Sequence, residues 1–296
     1  MDHNKFTKKK HALGFYQASP LPSSEELNTY YSEKYFQDCA PASYNPEYTA
    51  DEKQYFYNFG IISQKIWQTR CPSKTEKKMI DIGCGEGFFA QCFYKEGWDI
   101  DLCDFSSFGL NAQHPHLSKF LSKGNIYERI DILAKEGISF DFINLSYVLE
   151  HVRDPLGLID KIKKIMKKET LFRIQVPNDF SDFQDMLLKK KCTEETWFAP
   201  PDHLNYFTFA TLRNLLENRG MVIVDMLTDF PIETFLHNPH SNYFVDRDKG
   251  PQANLSRIEI SNFLTEKNLV GYVDYIRAAA NIGFGRSIIV FAQLQP

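Results

Sequence analysis

The stretch KKMIDIGCGEGFFAQCFYKEG (77–97) changes its pattern part-way along. KKMIDI (77–82) is short and apolar, and reads as a strand. Gly83, Gly85 and Gly87 follow at alternate positions. GFFAQCFYKEG (87–97) then has the spacing of a helix, with Gly97 as its stop. A glycine loop between a strand and a helix turns the backbone sharply and lets a ligand approach it closely. WDIDLC (98–103) is the next strand and ends at Asp104.

The alternation continues outward. Ser106 to Gln113 reads as a short helix, a third strand lies near Phe120, and Asn125 to Lys135 is helical. DFINLS (141–146) is a fourth strand. Pro155 to Lys168 reads as a helix with proline near its start and lysines at its end. LFRIQV (171–176) is a fifth strand, closed by Pro177-Asn178. Thr211 to Arg219 is a helix stopped by Gly220, and MVIVDML (221–227) and RSIIVFAQL (286–294) are strands. Upstream, Tyr55, Phe59, Ile62 and Ile66 give residues 51–70 an apolar helical face. Strands alternating with helices predict an α/β fold, a doubly wound, mostly parallel sheet covered on both faces.

Composition narrows the function classes. The chain has 296 residues, 43% hydrophobic and 24% charged, as globular proteins do. A net charge of −4 does not suit a general nucleic-acid binder. No apolar run nears the ~20 residues of a membrane span, and the charged N-terminus lacks the apolar centre of a signal peptide. The expectation is a cytoplasmic protein with no nucleic-acid or membrane partner. Cysteines 39, 71, 84, 92, 103 and 192 show no CxxC pair and read as reduced thiols, Cys92 and Cys103 in the core. The lysines of 161–168 fit one solvated helix face rather than a nucleic-acid patch.

Asp104 stands where an acid meets ribose hydroxyls in dinucleotide-binding folds. Phe88, however, breaks the G-x-G-x-x-G fingerprint, and Asp81 just before the loop would repel a pyrophosphate. An acid there suits a ligand with an ammonium group. The run DIGCGEG (81–87) resembles motif I of the class I S-adenosylmethionine-dependent methyltransferases. In that family the first acid supports the methionine end of the cofactor. Asp104 matches the ribose-binding acid, and Gly124-Asn125-Ile126 resembles the Gly-Asp-Ile at the adenine. Phe140 to Val152, with its Leu149-Glu150-His151, is similar to the fourth-strand motif, and Pro177-Asn178 also matches. The resemblance covers about 77–228 and implies S-adenosyl-L-methionine as cofactor. It implies cofactor contacts from Asp81, Gly83, Cys84 and Gly85, from Asp104 and Phe105, and from Asn125, Ile126 and Ser146. The family's fold would be Rossmann-like and seven-stranded, with the last strand antiparallel.

More narrowly, the chain resembles small-molecule methyltransferases that include the ubiquinone-type O-methyltransferases. Some of those carry a Glu-x-x-Glu-His run for a divalent metal. Tyr147 replaces the first Glu here, which leaves Glu150 and His151, so no metal is expected. Methylation of a hydroxyl needs a base, usually histidine near neutral pH. His203, in PPDHLNYF (200–207) after strand five, resembles the family's DHxxxF stretch near the acceptor and is the first candidate. His151, after strand four, is the second. His3, His11, His114, His116, His237 and His240 read as surface residues. Some of Tyr16, Tyr30, Tyr31, Tyr44 and Tyr57 are candidates to close over the site.

The predicted organisation has a cap segment and helix over 1–70, a cofactor-binding core over 71–228, an insertion over 229–285 with the acceptor pocket, and the last core strand over 286–296. Residues 1–50 read as irregular except for a helix start at Ser23-Ser24-Glu25-Glu26. The expected activity is methyl transfer to a small polar acceptor. The leaning is to O-methylation of a sugar or activated metabolite in a bacterial surface-polymer pathway. N-methylation of a small molecule, a nicotinamide oxidoreductase and a non-catalytic cofactor-binding module are the alternatives. Oligomeric state is not readable from the sequence.

Overall fold

The computed structural model describes residues 5–35, 47–71 and 77–295. Cys39 and Tyr44 fall outside them. The N-terminal part forms strands β1 (Thr7–Lys10) and β2 (Tyr16–Ser19) and helices α1 (Ser24–Tyr35) and α2 (Ala50–Arg70). Then come β3 (Lys78–Ile82), α3 (Phe88–Lys95), β4 (Asp99–Asp104), α4 (Phe108–Gln113), β5 (Leu121–Lys123), α5 (Ile126–Lys135) and β6 (Phe140–Ser146). They are followed by α6 (Pro155–Ile162), β7 (Met166–Pro177), α7 (Asp182–Lys189), β8 (Asn205–Tyr206), α8 (Phe209–Asn218) and β9 (Met221–Thr228). The chain ends with α9 (Thr234–His237), α10 (Gly250–Lys267), α11 (Leu269–Asn281) and β10 (Ser287–Leu294).

The main sheet has seven strands in the order β5-β4-β3-β6-β7-β10-β9. The β3–β4, β4–β5, β3–β6 and β6–β7 pairs are parallel, and β10 runs antiparallel to both β7 and β9. This is the expected doubly wound sheet. The winding reverses at β3, where a crevice opens beyond the carboxyl ends of the strands.

Strand alternation sorts side chains to two faces. Ile80, Ile82, Ile143, Leu145, Phe172, Ile174, Ile288 and Val290 face α5, α6 and α8. Met79, Phe142, Leu171, Ile289 and Phe291 face α2, α3 and α11. The helices meet them with apolar stripes such as Ile130-Leu133 and Ile62-Ile66. Cys92 and Cys103 are core residues, as expected, and the five described cysteines are free thiols.

Three expectations need correction. The helix predicted from Pro155 to Lys168 ends at Ile162, passes through a 3-10 turn and becomes β7 at Met166. Pairing of Met166 with Phe140 outweighs the helical spacing. The lysines consequently diverge: Lys161 pairs with Asp131 and Lys167 with Asp141. Second, residues 7–19 are not irregular. They form a hairpin whose second strand pairs with β8 in a three-stranded sheet. Third, His114 is buried. The helix start at Ser23 is as expected, with reciprocal bonds between Ser23 and Glu26.

Helix α2 holds the wall of the crevice against α3 through Gly60. A Cβ on Gly60 would lie 2.6 Å from Cys92 Cβ and 3.3 Å from the Phe89 carbonyl oxygen. Overpacking of this kind costs about 1–3 kcal/mol, more than helix propensity returns. Gly60→Val should lower the urea midpoint accordingly, and a midpoint equal to wild type would contradict this packing.

Candidate functional site

A cavity of about 880 Å³ opens at the carboxyl ends of β3, β4 and β6. Sites for one drug-sized ligand reach ~1,000 Å³ at most, so the volume is large. Gly83, Cys84 and Gly85, then Asp104 and Phe105, Asn125 and Ile126, and Ser146 all line it. The loop that carries Gly83 and Gly85 needs glycine for two reasons. Gly83 has φ +74°, and a Cβ there would sit 2.4 Å from Val148 Cγ2. Gly85 has φ +52° with open space beside it, which leaves its backbone bare to a ligand.

Asp104 is locked in place by the same loop. Gly85 N–H donates to its Oδ2 at 2.9 Å, and Ser106 N–H to its Oδ1 at 2.9 Å. Each oxygen keeps a lone pair for a diol. Burial pushes the Asp104 carboxyl up, and backbone bonds from Ser106, Gly85 and Phe105 oppose this. Asn125 caps α5 by accepting Tyr127 N–H at 2.9 Å. Its side-chain oxygen retains a second acceptor position. His114 props the loop from behind: Nδ1 donates to the Glu86 carbonyl at 2.7 Å, and Nε2 accepts from Tyr57 at 3.0 Å. Burial holds its pKa down, which suits this neutral tautomer.

Beneath the loop runs a row of buried polar side chains on the α2 face of the sheet. Asn144 donates to Asp81 Oδ1 at 2.6 Å and accepts from Arg173 at 2.7 Å. Arg173 also donates to Ser146 and Gln175. Gln175 donates to the Tyr147 hydroxyl at 2.8 Å, which contacts Ser287 Oγ at 2.8 Å. Ser287 donates to Asp229. Burial pushes Asp81 up to about 7, although Asn144 and Arg173 pull it down. Burial pushes Glu86, with Oε1 unpartnered, up to about 7 as well.

Tyr55, Tyr147, His151, Gln175 and Arg257 complete the wall. Tyr147 has φ +54°, a strained conformation for an aromatic residue, and its hydroxyl bonds hold it there. His151 Nδ1 donates to the Asp202 carbonyl at 2.6 Å, so Nε2 carries the lone pair. The His203 ring stands edge-on to His151 at 4.9 Å, but it is not on the cavity wall. Loop and strand end are joined because Leu204 and Asn205 N–H groups both donate to the Glu150 carbonyl. The Glu150 carboxyl is buried without a hydrogen bond, and burial pushes its pKa well up. Glu150, His151 and His203 offer donor atoms within 4.8 Å of one another. Glu150 and His151 are adjacent in the sequence, and the fold brings His203 to them.

The family model of the methyltransferase domain matches residues 57–225. The chain belongs to this family. Its core therefore carries the methyltransferase motifs, and the nicotinamide-oxidoreductase alternative falls. A ubiquinone biosynthesis O-methyltransferase from Histophilus somni is 28% identical over 109 residues, 34% of this chain and 44% of that relative. Its counterpart from Paraburkholderia phymatum is 32% identical over 96 residues, 31% of this chain and 41% of that one. The chain thus matches less than half the length of these curated relatives. A SAM-dependent methyltransferase from Archaeoglobus fulgidus has 19% identity and a TM-score of 0.47, covering 79% of this chain and 94% of that one.

Sequence reasoning gave no cavity role to Tyr55, Tyr147, Gln175 and Arg257, which line the wall, or to Arg173 beneath it. Their local sequences carry no signal, since only the paired strands and the packed helices α2 and α10 bring them together. Of the tyrosines expected over the site, Tyr16 packs on Phe180 and Tyr57 on His114. The side chain of Tyr31 falls outside the described residues. No described helix is long and apolar enough to cross a membrane.

Asp81 yields a pH test. With its carboxyl near 7, the empty site is about half protonated at neutral pH. Asp81 is buried beneath the loop and is not on the cavity wall, so a ligand ammonium in the cavity would act on its carboxylate from across the loop, stabilising it and lowering that pKa. Binding of S-adenosylhomocysteine should then release about half a proton at pH 7, and affinity should fall as pH drops below about 7. Calorimetry in buffers of different ionisation enthalpy reads the proton, and Asp81→Asn should abolish it. Proton uptake, or the same release in the variant, would exclude this role.

Proposed function

We propose that the chain transfers the methyl group of S-adenosyl-L-methionine to a hydroxyl of a small polar acceptor. The cavity is the observation that carries this reading. The glycine loop, Asp104 and Asn125 share it with His151 and with a wall supplied from outside the family core. The residues suit the cofactor: Asp104 keeps two acceptor positions, Gly85 leaves its backbone open, and Asp81 offers an acid near the loop. When bound, the cofactor supplies an electrophilic methyl on a sulfonium.

His151 acts as the base. Its Nε2 takes the hydroxyl proton as the acceptor oxygen bonds to the methyl carbon, and the carbon–sulfur electron pair stays on sulfur. The Asp202 carbonyl fixes the tautomer that makes this possible. His203 packs on the imidazole edge and positions it. The acceptor class favoured by the sequence, a sugar or activated metabolite of a bacterial surface polymer, fits a cavity of mixed polar and aromatic walls. A positioned base contributes typically 10²–10⁴-fold. His151→Ala should therefore lower kcat by at least ~100-fold, with S-adenosylhomocysteine affinity within about threefold of wild type. His203→Ala should lower it less. The assay is mass spectrometry of a metabolite extract incubated with methyl-labelled cofactor. Full turnover by His151→Ala would remove that residue from the mechanism.

Turnover proceeds without a metal ion. Tyr147 has its hydroxyl committed to Gln175 and Ser287. Burial pushes the Glu150 carboxyl toward its neutral form, which needs no counter-ion. Dialysis against EDTA should leave the rate unchanged. A rate lost to EDTA and restored by zinc or magnesium would assign Glu150, His151 and His203 to a metal instead.

A further inference from the structure

Arg257 projects into the cavity from α10, in the segment that follows the family-matched residues 57–225. A half-buried guanidinium is costly unless its charge is met. Its hydrogen-bond partners among the described residues are neutral. Nε and Nη2 donate to Asn254 Oδ1 at 3.1 and 2.7 Å, and Nη1 donates to the Tyr55 hydroxyl at 3.2 Å. The cation also lies 4.9 Å from the centre of the Tyr55 ring. Burial keeps Tyr55 a neutral phenol. Arg257 makes no ion pair with an acid among the described residues. Asp229, whose charge reaches Tyr55 and Tyr147, is already engaged by the Ser287 backbone N–H and hydroxyl.

Guanidinium has five N–H donors in a fixed fork. Three are used in these bonds, which leaves one on each terminal nitrogen. That pair matches the two oxygens of a carboxylate or a phosphate. Asn254 and Tyr55 hold the fork still, so little side-chain entropy remains to be lost on binding. Asp104 and the glycine loop line the cavity from within the family-matched core, so the cofactor contacts that the resemblance implies need no residue of α10. What α10 adds to the cavity is a cation from outside that core.

We propose that Arg257 binds an anionic group, carboxylate or phosphate, of the methyl acceptor, so that the substrate carries a negative charge as well as the hydroxyl that is methylated. This rests on the methyltransferase reading above. It also limits neutral metabolites, which would leave the cation unmatched in the cavity.

The test uses the full chain and a metabolite extract separated on an anion exchanger into retained and unretained fractions. Each is incubated with methyl-labelled cofactor. Label should enter a compound of the retained fraction. For that compound, Arg257→Met should raise KM at least ~30-fold with S-adenosylhomocysteine affinity within about threefold of wild type. Arg257→Lys, which keeps the charge and loses the fork, should fall between the two. Label found only in the unretained fraction overturns the inference and leaves methyl transfer standing. No label in any fraction, with S-adenosylhomocysteine bound normally, overturns small-molecule methylation and this inference with it. If Arg257→Met weakens S-adenosylhomocysteine more than tenfold but leaves methylthioadenosine binding unchanged, Arg257 serves the cofactor's own carboxylate and the proposal fails.

Discussion

Arg173 sits in the middle of the sheet, wholly buried, with a charge that no water can reach. Burial lowers its pKa to about 10. Its neighbours answer that charge. Asn144, Ser146 and Gln175 accept its N–H groups, Asp81 lies within electrostatic reach, and the Phe89 ring covers it at 4.8 Å. A buried polar group left unmet costs more than a matched one gains, so the bonds to both terminal nitrogens matter, and Nε alone is left without a partner among the described residues. This fixes the register of β3, β6 and β7, since a slip of one residue would turn every polar side chain into the opposite, apolar face. The same row ends at Asp81 on one side and at Tyr147 and Asp229 on the other. The constraint that aligns the strands therefore also sets the floor of the cavity.

The N-terminal hairpin acts on the opposite side of the site. Ala18 N–H donates to the Leu204 carbonyl, and Gln17 donates to Asn205 Oδ1. Asn205 in turn donates to the Leu149 and Val152 carbonyls. Residues far apart in sequence are thus stitched around the His151 strand end. The hairpin is a clamp on the loop that carries His203, and it lets two imidazoles meet edge to face on otherwise irregular backbone. Loops that carry chemistry need this support, because their backbone supplies little of its own.

Core and additions divide the work of the cavity. The family core supplies the glycine loop, Asp104 and Asn125, held by parallel strands and helix caps. Helix α2 and helix α10 close the remaining wall with Tyr55 and Arg257. Asn58 and Asn262 are bonded across these two helices, so their spacing is set by packing outside the core. Helix α11 meanwhile lays Tyr272, Val273 and Ile276 onto the sheet. The segment after β9 thus completes the hydrophobic layer and also adds a side chain to the cavity wall.

The sequence by itself determined the parallel core. Short apolar runs separated by glycine stops and helix caps are local signals, and the strand–glycine loop–helix at 77–97 needs no distant partner to be read. Asp81, Asp104 and Asn125 were legible for the same reason, since each sits at a strand end or a helix start next to its own motif. The end of the helix after Pro155 was not legible, because pairing of Met166 with Phe140 decides it from across the sheet. His114 looked like a surface residue because nothing nearby shows that Glu86 and Tyr57 will bury it. Tertiary structure alone decided which histidine reaches the cavity, that Glu150 has two imidazoles beside it, and that Arg257 joins the site. These are contacts between segments tens to hundreds of residues apart, formed only when the sheet has closed and the helices have packed on it. Hydrophobic periodicity records which face a residue takes, and it holds no record of what that face will meet.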